Sequence, residues 1–375
     1  MEHGGDIYTE GLLKGKKLLD FSSNINPLGV PQSFKDNINE AVESLERYPD
    51  VKYRELRKNI KEYLKFSKSY FREQKEDVIS SENQVEYIID EEGIALGNGA
   101  AEILDLVISC FKSICIVVPS FIEYELNALK WGCNIQYSYL KENMDYDYDN
   151  IKEKMKLVDA LIIGNPNNPN GQVIDKEKFK AIVEYCEENN KIIIIDEAFI
   201  EFTGKRGFSF LEKIEKYKCI FIVRALTKFY AMPGVRLGYG ISSNKKLIES
   251  IKSKQNPWNI NCFAETAAKY ALKDKEYIEN SLEWIEEERN FMTDSLGETE
   301  IIKEVYQTYS NFILCKLKNV KCYQFYDKCL KHGIAVRKCN NFRGLDEDYI
   351  RLAIKDRESN EKIIEVLNQN IFLEE

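Results

Sequence analysis

The chain has 375 residues, 44% of them hydrophobic and 31% charged, which is typical of a soluble globular protein of two or three domains. Its net charge of −9 argues against general binding to nucleic acid or to an acidic membrane, because both need a basic face. No apolar run approaches the ~20 residues of a membrane span, and the polar N-terminus lacks a signal-peptide core, so we expect a cytoplasmic protein.

Short apolar runs alternate with helical patterns through the first two thirds of the chain. Five runs are expected to be strands, at residues 114–119, 160–166, 192–198, 219–225 and 236–242. Their isoleucine and valine content is typical of strands that are buried on both faces of a parallel sheet. Residues 101–112 and 176–189 place apolar side chains on one stripe, as amphipathic helices do. The alternation predicts a doubly wound α/β domain across residues 46–245.

After residue 245 the pattern changes to long charged helices, followed by two expected strands at residues 311–317 and 333–339. We therefore predict a smaller α+β domain over residues 246–375. Residues 1–45 are expected to form an N-terminal arm and a segment that joins this small domain. The charge-rich residues 66–92 are predicted to be a surface insertion.

The chain holds ten cysteines without a C-x-x-C pair, and only two histidines, His3 and His332. Most of the cysteines sit in apolar stretches, so we expect buried structural thiols rather than a metal site or a disulfide framework. With so few histidines, lysine, tyrosine or a carboxylate must carry any proton transfer.

Polar residues follow the predicted strands at the carboxyl edge, where α/β proteins build their sites. Asn168 lies in "NPNNPNG", Asp196 ends "IIIID", and Lys228 follows "CIFIVRALT". Arg236 comes eight residues later, and "GNGAAE" opens a helix upstream whose amides suit a phosphate. Together these groups match pyridoxal phosphate. The cofactor needs an amine to form an imine, an acid for its pyridine nitrogen, an amide for its ring hydroxyl and a cradle for its phosphate.

Each of these residues also has a structural interpretation when it is taken alone. Lys228 could end a strand at the surface, Asp196 could cap a helix, and Phe121 could belong to the core. "NPNNPNG" is rich in turn formers on any account, and "GNGAAE" could be only a turn and a helix start. The combination favours the catalytic interpretation, since a buried carboxylate such as Asp196 also needs a cation.

The motifs "NPNNPNG", "DEAF" and "LTKFYAMPGVRLGY" resemble the signature of fold-type I pyridoxal-phosphate enzymes, the aspartate-aminotransferase superfamily. Within it, the chain is most similar to threonine-phosphate decarboxylases and histidinol-phosphate aminotransferases, over nearly its full length apart from residues 66–92. The resemblance implies a large domain with a mostly parallel sheet flanked by helices, plus a smaller α+β domain. It also implies pyridoxal 5'-phosphate as the cofactor.

By this resemblance, Lys228 forms the imine and shuttles the proton, and Asp196 pairs with the pyridinium. Asn168 would bond the ring hydroxyl and also contact the substrate, and Phe121 would stack on the ring.

By the same resemblance, the cofactor phosphate is bound by Arg236 and by the amides of Gly99, Ala100 and Ala101. Tyr48 would reach this phosphate from the neighbouring subunit, which implies a homodimer with composite sites.

Other features resemble the decarboxylases more than the aminotransferases. These are "HGGD" with "DFSSNINPLGVP", "KQNPWNIN" at residues 254–261, and "RKCNNFRGLDEDYIRLAI" at residues 337–354. Position 199 is phenylalanine, where aminotransferases commonly place a tyrosine. By that resemblance, Arg351 binds the substrate carboxylate as a bidentate fork, and Arg337 and His3 hold the substrate phosphate.

The resemblance thus implies a lyase that converts L-threonine O-3-phosphate to (R)-1-aminopropan-2-yl phosphate for cobalamin biosynthesis, with phosphoserine as another candidate substrate. The nearest alternative is an aminotransferase acting on histidinol phosphate or another amino acid, since Arg351 suits either reaction. A third is a non-catalytic, cofactor-binding regulator, against which the intact Lys228 and Asp196 speak.

Two departures from the family's pattern concern the cofactor phosphate. Ala225 stands where a phosphate-binding serine is usual, and Ala101 replaces a common threonine or serine. Each lost charge-assisted hydrogen bond is expected to cost about 1.5–3 kcal/mol of cofactor affinity, less where water replaces it. Lys228 and Arg236 remain, so we expect cofactor binding to survive.

Overall fold

The computed structural model describes residues 4–70, 90–204 and 207–369. Within these ranges the chain forms thirteen β-strands and eleven α-helices. The strands are β1 (Leu19–Asp20), β2 (Ile94–Asn98), β3 (Ser113–Val118), β4 (Asn134–Tyr139), β5 (Ala160–Gly164), β6 (Ile192–Asp196), β7 (Ile220–Ala225), β8 (Leu237–Ile241), β9 (Ile302–Val305), β10 (Phe312–Leu317), β11 (Ile334–Ala335), β12 (Arg337–Lys338) and β13 (Tyr349–Ala353). The helices are α1 (Gln32–Glu43), α2 (Arg54–Tyr70), α3 (Ala100–Ile108), α4 (Glu123–Lys130), α5 (Tyr148–Met155), α6 (Lys176–Glu188), α7 (Lys245–Lys252), α8 (Cys262–Tyr270), α9 (Lys275–Gly297), α10 (Cys322–Lys331) and α11 (Arg357–Leu367).

Seven strands form the central sheet, in the order β2-β8-β7-β6-β5-β3-β4. All neighbours from β4 to β7 are parallel, whereas β8 runs antiparallel to both β2 and β7. Successive side chains of β6 enter different clusters of buried residues, Ile193 and Ile195 in one, Ile192 and Ile194 in the other. The predicted class, a mostly parallel sheet covered on both faces, is confirmed.

Two smaller sheets use the C-terminal part of the chain. One has four antiparallel strands in the order β12-β13-β10-β9, and the other pairs β1 with β11 in parallel. The predicted single strand at residues 333–339 is wrong, because the chain changes sheet at Val336 between β11 and β12. This change places Arg337 directly opposite Arg351 on β13. The domain boundaries at residues 45 and 245 stay a prediction.

Some expected elements differ in extent from the observed ones. The helix expected over residues 101–112 ends at Ile108, and the expected insertion at residues 66–92 begins inside α2. Most of that segment lies outside the described residues. No strand was expected at β2 or β4, although both belong to the central sheet.

The ten cysteines are all free, and eight of them are buried as predicted, whereas Cys110 and Cys262 are half-buried. In the described ranges, no group of three or more histidines, cysteines or carboxylates is placed to bind a metal ion. Among the described helices, none combines the length and the hydropathy needed to cross a bilayer.

Candidate active site

One cavity beside the carboxyl ends of the parallel strands brings together most of the residues singled out from the sequence. Its walls include Ala100, Ala101, Phe121, Asn168, Asp196, Lys228, Arg236, Arg337 and Arg351. Asp196 is the last residue of β6, and Lys228 follows the end of β7 by three residues. Parallel strands that end at one edge deliver these side chains to a common space.

Lys228 projects into this cavity among other cations. Burial, reinforced by the positive charges of Arg351, Arg236 and Lys355, lowers the pKa of Lys228 to about 8. Its carbonyl accepts a hydrogen bond from the Asn26 amide at 3.1 Å, which fixes the backbone behind the side chain. An amine with a depressed pKa is neutral, and therefore nucleophilic, at a substantially lower pH than an exposed lysine.

Asp196 is buried and bonded only to neutral donors in this structure. The Tyr124 hydroxyl donates to Oδ2 at 2.7 Å, and the Ala198 amide donates to Oδ1 at 3.0 Å. The hydrogen bond from the Ala198 amide is the local contact that a capping aspartate would make. Burial, however, raises the pKa of Asp196 above its ordinary value. A buried carboxyl in this state favours a cationic partner within the cavity, such as a protonated ring nitrogen.

The N-terminus of α3 and Arg236 together form an anion cradle at one end of the cavity. Helix α3 begins at Ala100, and the first amides of a helix have no partner within it. Gly99 precedes the helix with φ +84°, and a Cβ there would lie 2.4 Å from the Arg236 guanidinium. Only glycine therefore allows Arg236 to lie against this turn.

The hydroxyl that the family's pattern expects in this region is absent at Ala225, which is buried in the cavity wall. Thr227 also lines the cavity and carries a hydroxyl two residues further on. Thr227 stands directly before Lys228 in the chain, but no feature of the sequence singles it out as a site residue.

Two further lining residues of the cavity are buried arginines on the neighbouring strands β12 and β13. Arg351 donates to Asn168 Oδ1 at 2.6 Å and to the Ser22 carbonyl at 2.7 Å, while its Nε has no hydrogen-bond partner. Arg337 donates to the Asn341 side chain at 2.7 Å. Arg337 is only 6% exposed, so it is not a surface residue although β12 lies at the edge of its sheet. Burial also lowers the pKa of Arg351 to about 10.

The N-terminal segment closes the cavity beside these arginines. Gly4, Ser22, Ser23 and Asn24 line it, and the Asn24 carboxamide oxygen is buried without a hydrogen-bond partner. His3 lies outside the described residues, so its contact with a substrate phosphate stays a prediction.

Tyr48 is the one described candidate that lies away from this cavity. It is 80% exposed, and its ring centroid lies 4.9 Å from that of Trp258. Its predicted reach into the site of a neighbouring subunit stays a prediction.

Tyr124 is the clearest functional residue that sequence reasoning missed. It lies 72 residues before Asp196 and reaches it only through the fold, which packs α4 against β3 and β4 of the central sheet. Tyr124 is only 3% exposed, and an aromatic residue within a helix carries no sequence signal that distinguishes it from a core residue.

The chain matches the family described as aminotransferase class I and II over residues 16–367. A protein of Caldanaerobacter subterraneus subsp. tengcongensis, whose name gives threonine-phosphate decarboxylase as a provisional assignment, is 39% identical over 371 residues, covering 98% of this chain and 93% of its own. The threonine-phosphate decarboxylase of Salmonella typhimurium is 31% identical over 374 residues, covering 97% and 95%. The crystal structure of the histidinol-phosphate aminotransferase from Clostridium acetobutylicum has 51% identity and a TM-score of 0.85, covering 93% of this chain and 98% of that one.

These similarities extend over nearly the whole chain, while the names of the relatives divide between a lyase and a transferase. They therefore establish the family and its cofactor, and not the reaction. The chain belongs to the aminotransferase class I and II family of fold-type I enzymes, which depend on pyridoxal 5'-phosphate.

Proposed function

We propose that the protein is a pyridoxal 5'-phosphate-dependent lyase that decarboxylates a phosphorylated amino acid. Its substrate is L-threonine O-3-phosphate, and its products are carbon dioxide and (R)-1-aminopropan-2-yl phosphate, a precursor of the cobalamin side chain. The observation that carries the phosphorylated amino-acid substrate is the pair of buried arginines, Arg337 and Arg351, directly opposite each other on neighbouring strands of the cavity wall.

The cavity fits the cofactor on two features of this chain. Asp196 has only neutral hydrogen-bond donors, which suits a pyridinium, and the first amides of α3 beside Arg236 suit a phosphate. Lys228, Asn168 and Phe121 are the remaining residues that would hold it. When bound, the cofactor supplies an electron sink for the bond that breaks.

The two buried arginines on β12 and β13 can bind two further anions in the cavity. With Arg236 assigned to the cofactor phosphate, Arg351 suits a substrate carboxylate and Arg337 a substrate phosphate. A short amino acid that carries both groups, such as phosphothreonine, would be held at two points, and two anchors set the rotation of the bond to be broken. Lys228, with its depressed pKa, is the group that would hold or move the proton at the α carbon.

Phe199 supports the lyase in a second way. Its ring centroid lies 6.0 Å from the Lys228 amine, and it places no hydroxyl beside the lysine, unlike the tyrosine that aminotransferases commonly carry there. Phe199 is itself held edge-on against Phe312, with ring centroids 5.1 Å apart.

An aminotransferase acting on histidinol phosphate is the second candidate function. The 51% identity with the crystal structure of a histidinol-phosphate aminotransferase favours it. Histidinol phosphate offers a phosphate to Arg337, and a dicarboxylic partner such as glutamate offers a carboxylate to Arg351, so both arginines suit this reaction too.

The protein is further proposed to act as a homodimer, with Tyr48 completing the site of the other subunit. Apolar residues close to Tyr48 in the sequence are exposed as well, with Val42 49%, Leu45 61% and Val51 54% exposed. An exposed apolar face of this kind is typical of an interface.

A product assay separates the two reactions. The cofactor-loaded protein is incubated with O-phospho-L-threonine without a keto acid, and carbon dioxide and the phosphorylated amine are measured, with Lys228→Ala as the blank. Release of both products at equal amounts is the expected result. Absence of carbon dioxide, together with amino transfer from histidinol phosphate after addition of 2-oxoglutarate, would overturn the lyase in favour of the aminotransferase.

A further inference from the structure

The turn that follows β1 is organised by a single carboxylate, that of Asp20. Its Oδ1 accepts hydrogen bonds from the Ser22 amide at 2.8 Å, the Ser22 hydroxyl at 2.6 Å and the Ser23 amide at 3.3 Å. Its Oδ2 accepts a further hydrogen bond from the Ser23 hydroxyl. These four donors fix both serines, because an aspartate that bonds the residues following it closes a turn.

The carbonyl groups of the same two serines bind two cations from the C-terminal part of the chain. Arg351 of β13 donates to the Ser22 carbonyl at 2.7 Å, and Lys355 donates to the Ser23 carbonyl at 3.2 Å. The other hydrogen bond of the Arg351 guanidinium goes to the Asn168 side chain at 2.6 Å. The turn is therefore one of two supports that hold this guanidinium in the cavity wall.

The hydroxyl of Ser22 also holds the leading segment, residues 4–10. The Gly5 amide donates to Ser22 Oγ at 2.7 Å. A Cβ at Gly4 would lie 2.1 Å from the Ser22 carbonyl oxygen and 3.3 Å from Arg351 Nη2, so the segment packs closely against both groups. Gly4, Ser22 and Arg351 all line the cavity, and the segment, the turn and the arginine therefore form one continuous part of its wall.

The position of Asp20 also suits the charge of this region. The cavity is lined by four cations, Lys228, Arg236, Arg337 and Arg351. Among its described lining residues, Asp196 is the only acid. Burial lowers the pKa of Arg351 and of Lys355, and the negative charge of Asp20 opposes this lowering at both groups.

We propose that Asp20 is a positioning residue for substrate binding, which acts through Ser22 to aim the guanidinium of Arg351 at the substrate carboxylate and to fasten the leading segment beside it. The inference rests on the carboxylate-binding role that the proposed function gives to Arg351. Asp20 does not line the cavity, so it acts on the substrate only through these neighbours. Loss of its carboxylate would loosen the arginine and the segment together.

Steady-state kinetics of the cofactor-loaded protein test the action on the arginine. Asp20→Asn keeps the shape of the side chain, removes its charge and replaces one acceptor oxygen by a donor. We expect the KM for O-phospho-L-threonine to rise at least about tenfold, with cofactor content unchanged and a smaller change in kcat. The control is Asp175→Asn, because Asp175 accepts hydrogen bonds from the Glu177 and Lys178 amides at the start of α6 and does not line the cavity. An equal KM in both variants would overturn the proposal.

A double-mutant cycle separates an action through Arg351 from a general loosening of the fold. Arg351→Gln removes the guanidinium that Asp20 is proposed to position. Addition of Asp20→Asn to this variant should therefore leave its KM nearly unchanged. A further rise as large as the one that Asp20→Asn causes in the wild type would overturn the action through Arg351. If the protein proves to be an aminotransferase, the cycle is read on the KM for 2-oxoglutarate, whose carboxylate would meet the same arginine.

Amide hydrogen exchange tests the action on the leading segment without any substrate. Ser22→Ala removes the acceptor of the Gly5 amide and keeps the backbone carbonyl that Arg351 uses. Both Ser22→Ala and Asp20→Asn should speed exchange in residues 4–10 relative to the wild type and to Asp175→Asn. Equal exchange in all four proteins would overturn the link between Asp20 and this segment, whichever reaction the enzyme catalyses.

Discussion

The protonation of Lys228 is set by its neighbours. Burial of the amine, reinforced by the positive charges of Arg351, Arg236 and Lys355, lowers the pKa of Lys228 to about 8. In the apoprotein we therefore expect the rate at which Lys228 captures pyridoxal 5'-phosphate to rise with pH and to level off above about pH 8, since the neutral amine is the nucleophile. Absorbance changes after mixing across a pH series measure this rate, and a midpoint near the ordinary lysine value of 10.5 would contradict the prediction.

Arg351 carries the predicted recognition of the carboxylate. The change Arg351→Lys keeps the charge but loses the planar fork, so we expect the KM for O-phospho-L-threonine to rise by about 10–100-fold with cofactor content unchanged. The matched control is Arg343→Lys, an exposed arginine that pairs with Glu125 at 2.8 Å on the surface. An unchanged KM in the Arg351 variant would remove this arginine from the substrate site.

At the scale of single elements, the turn before α3 decides how tightly a phosphate is held. Gly99→Ala would force a Cβ against Arg236 at a φ of +84°, so the cradle must open. We expect the dissociation constant of the cofactor to rise at least about tenfold, as when one charge-assisted hydrogen bond is lost. Gly234→Ala is the control, because a Cβ at Gly234 meets no atom within 4 Å. Equal cofactor titrations for the two variants would contradict the role of this turn.

The strands that could be predicted are those with a continuous run of apolar residues, because such a run indicates a buried strand. β6 reads as four isoleucines before Asp196, and all five residues are buried. The sequence does not predict β4 because this strand lies at the edge of the sheet, is rich in polar residues and is mostly only half-buried. The break at Val336 could not be predicted either, because it depends on β1 and β13, which lie far away in the sequence.

The residues of the candidate site likewise divide into those that local sequence motifs predict and those that only long-range packing brings together. Lys228, Asp196 and Asn168 stand in motifs whose spacing is visible along the chain, and the fold brings them to one cavity. The contact of Tyr124 with Asp196, and the closure of the cavity by Ser22 and Asn24, depend on long-range packing. No local pattern of residue types encodes such contacts.

For the molecule as a whole, composite sites predict complementation between two inactive variants. Under the proposed roles, Lys228→Ala would lack the catalytic amine and Tyr48→Ala would lack the residue offered to the partner, so a mixed dimer would hold one intact site. After exchange of subunits we expect about a quarter of the wild-type activity to return, because half of the dimers are mixed and each has one working site. Size-exclusion chromatography verifies the dimer, and a mixture as inactive as its parents would contradict shared sites.

The most direct measurement identifies the lysine to which the cofactor bonds. The purified, cofactor-loaded protein is reduced with borohydride, digested, and searched by mass spectrometry for a phosphopyridoxyl group on each lysine. We predict a single modified peptide that contains Lys228, and none after the change Lys228→Ala. Modification of a different lysine, or an unmodified Lys228 in protein that carries a full complement of cofactor, would contradict the site on which the proposed reaction depends.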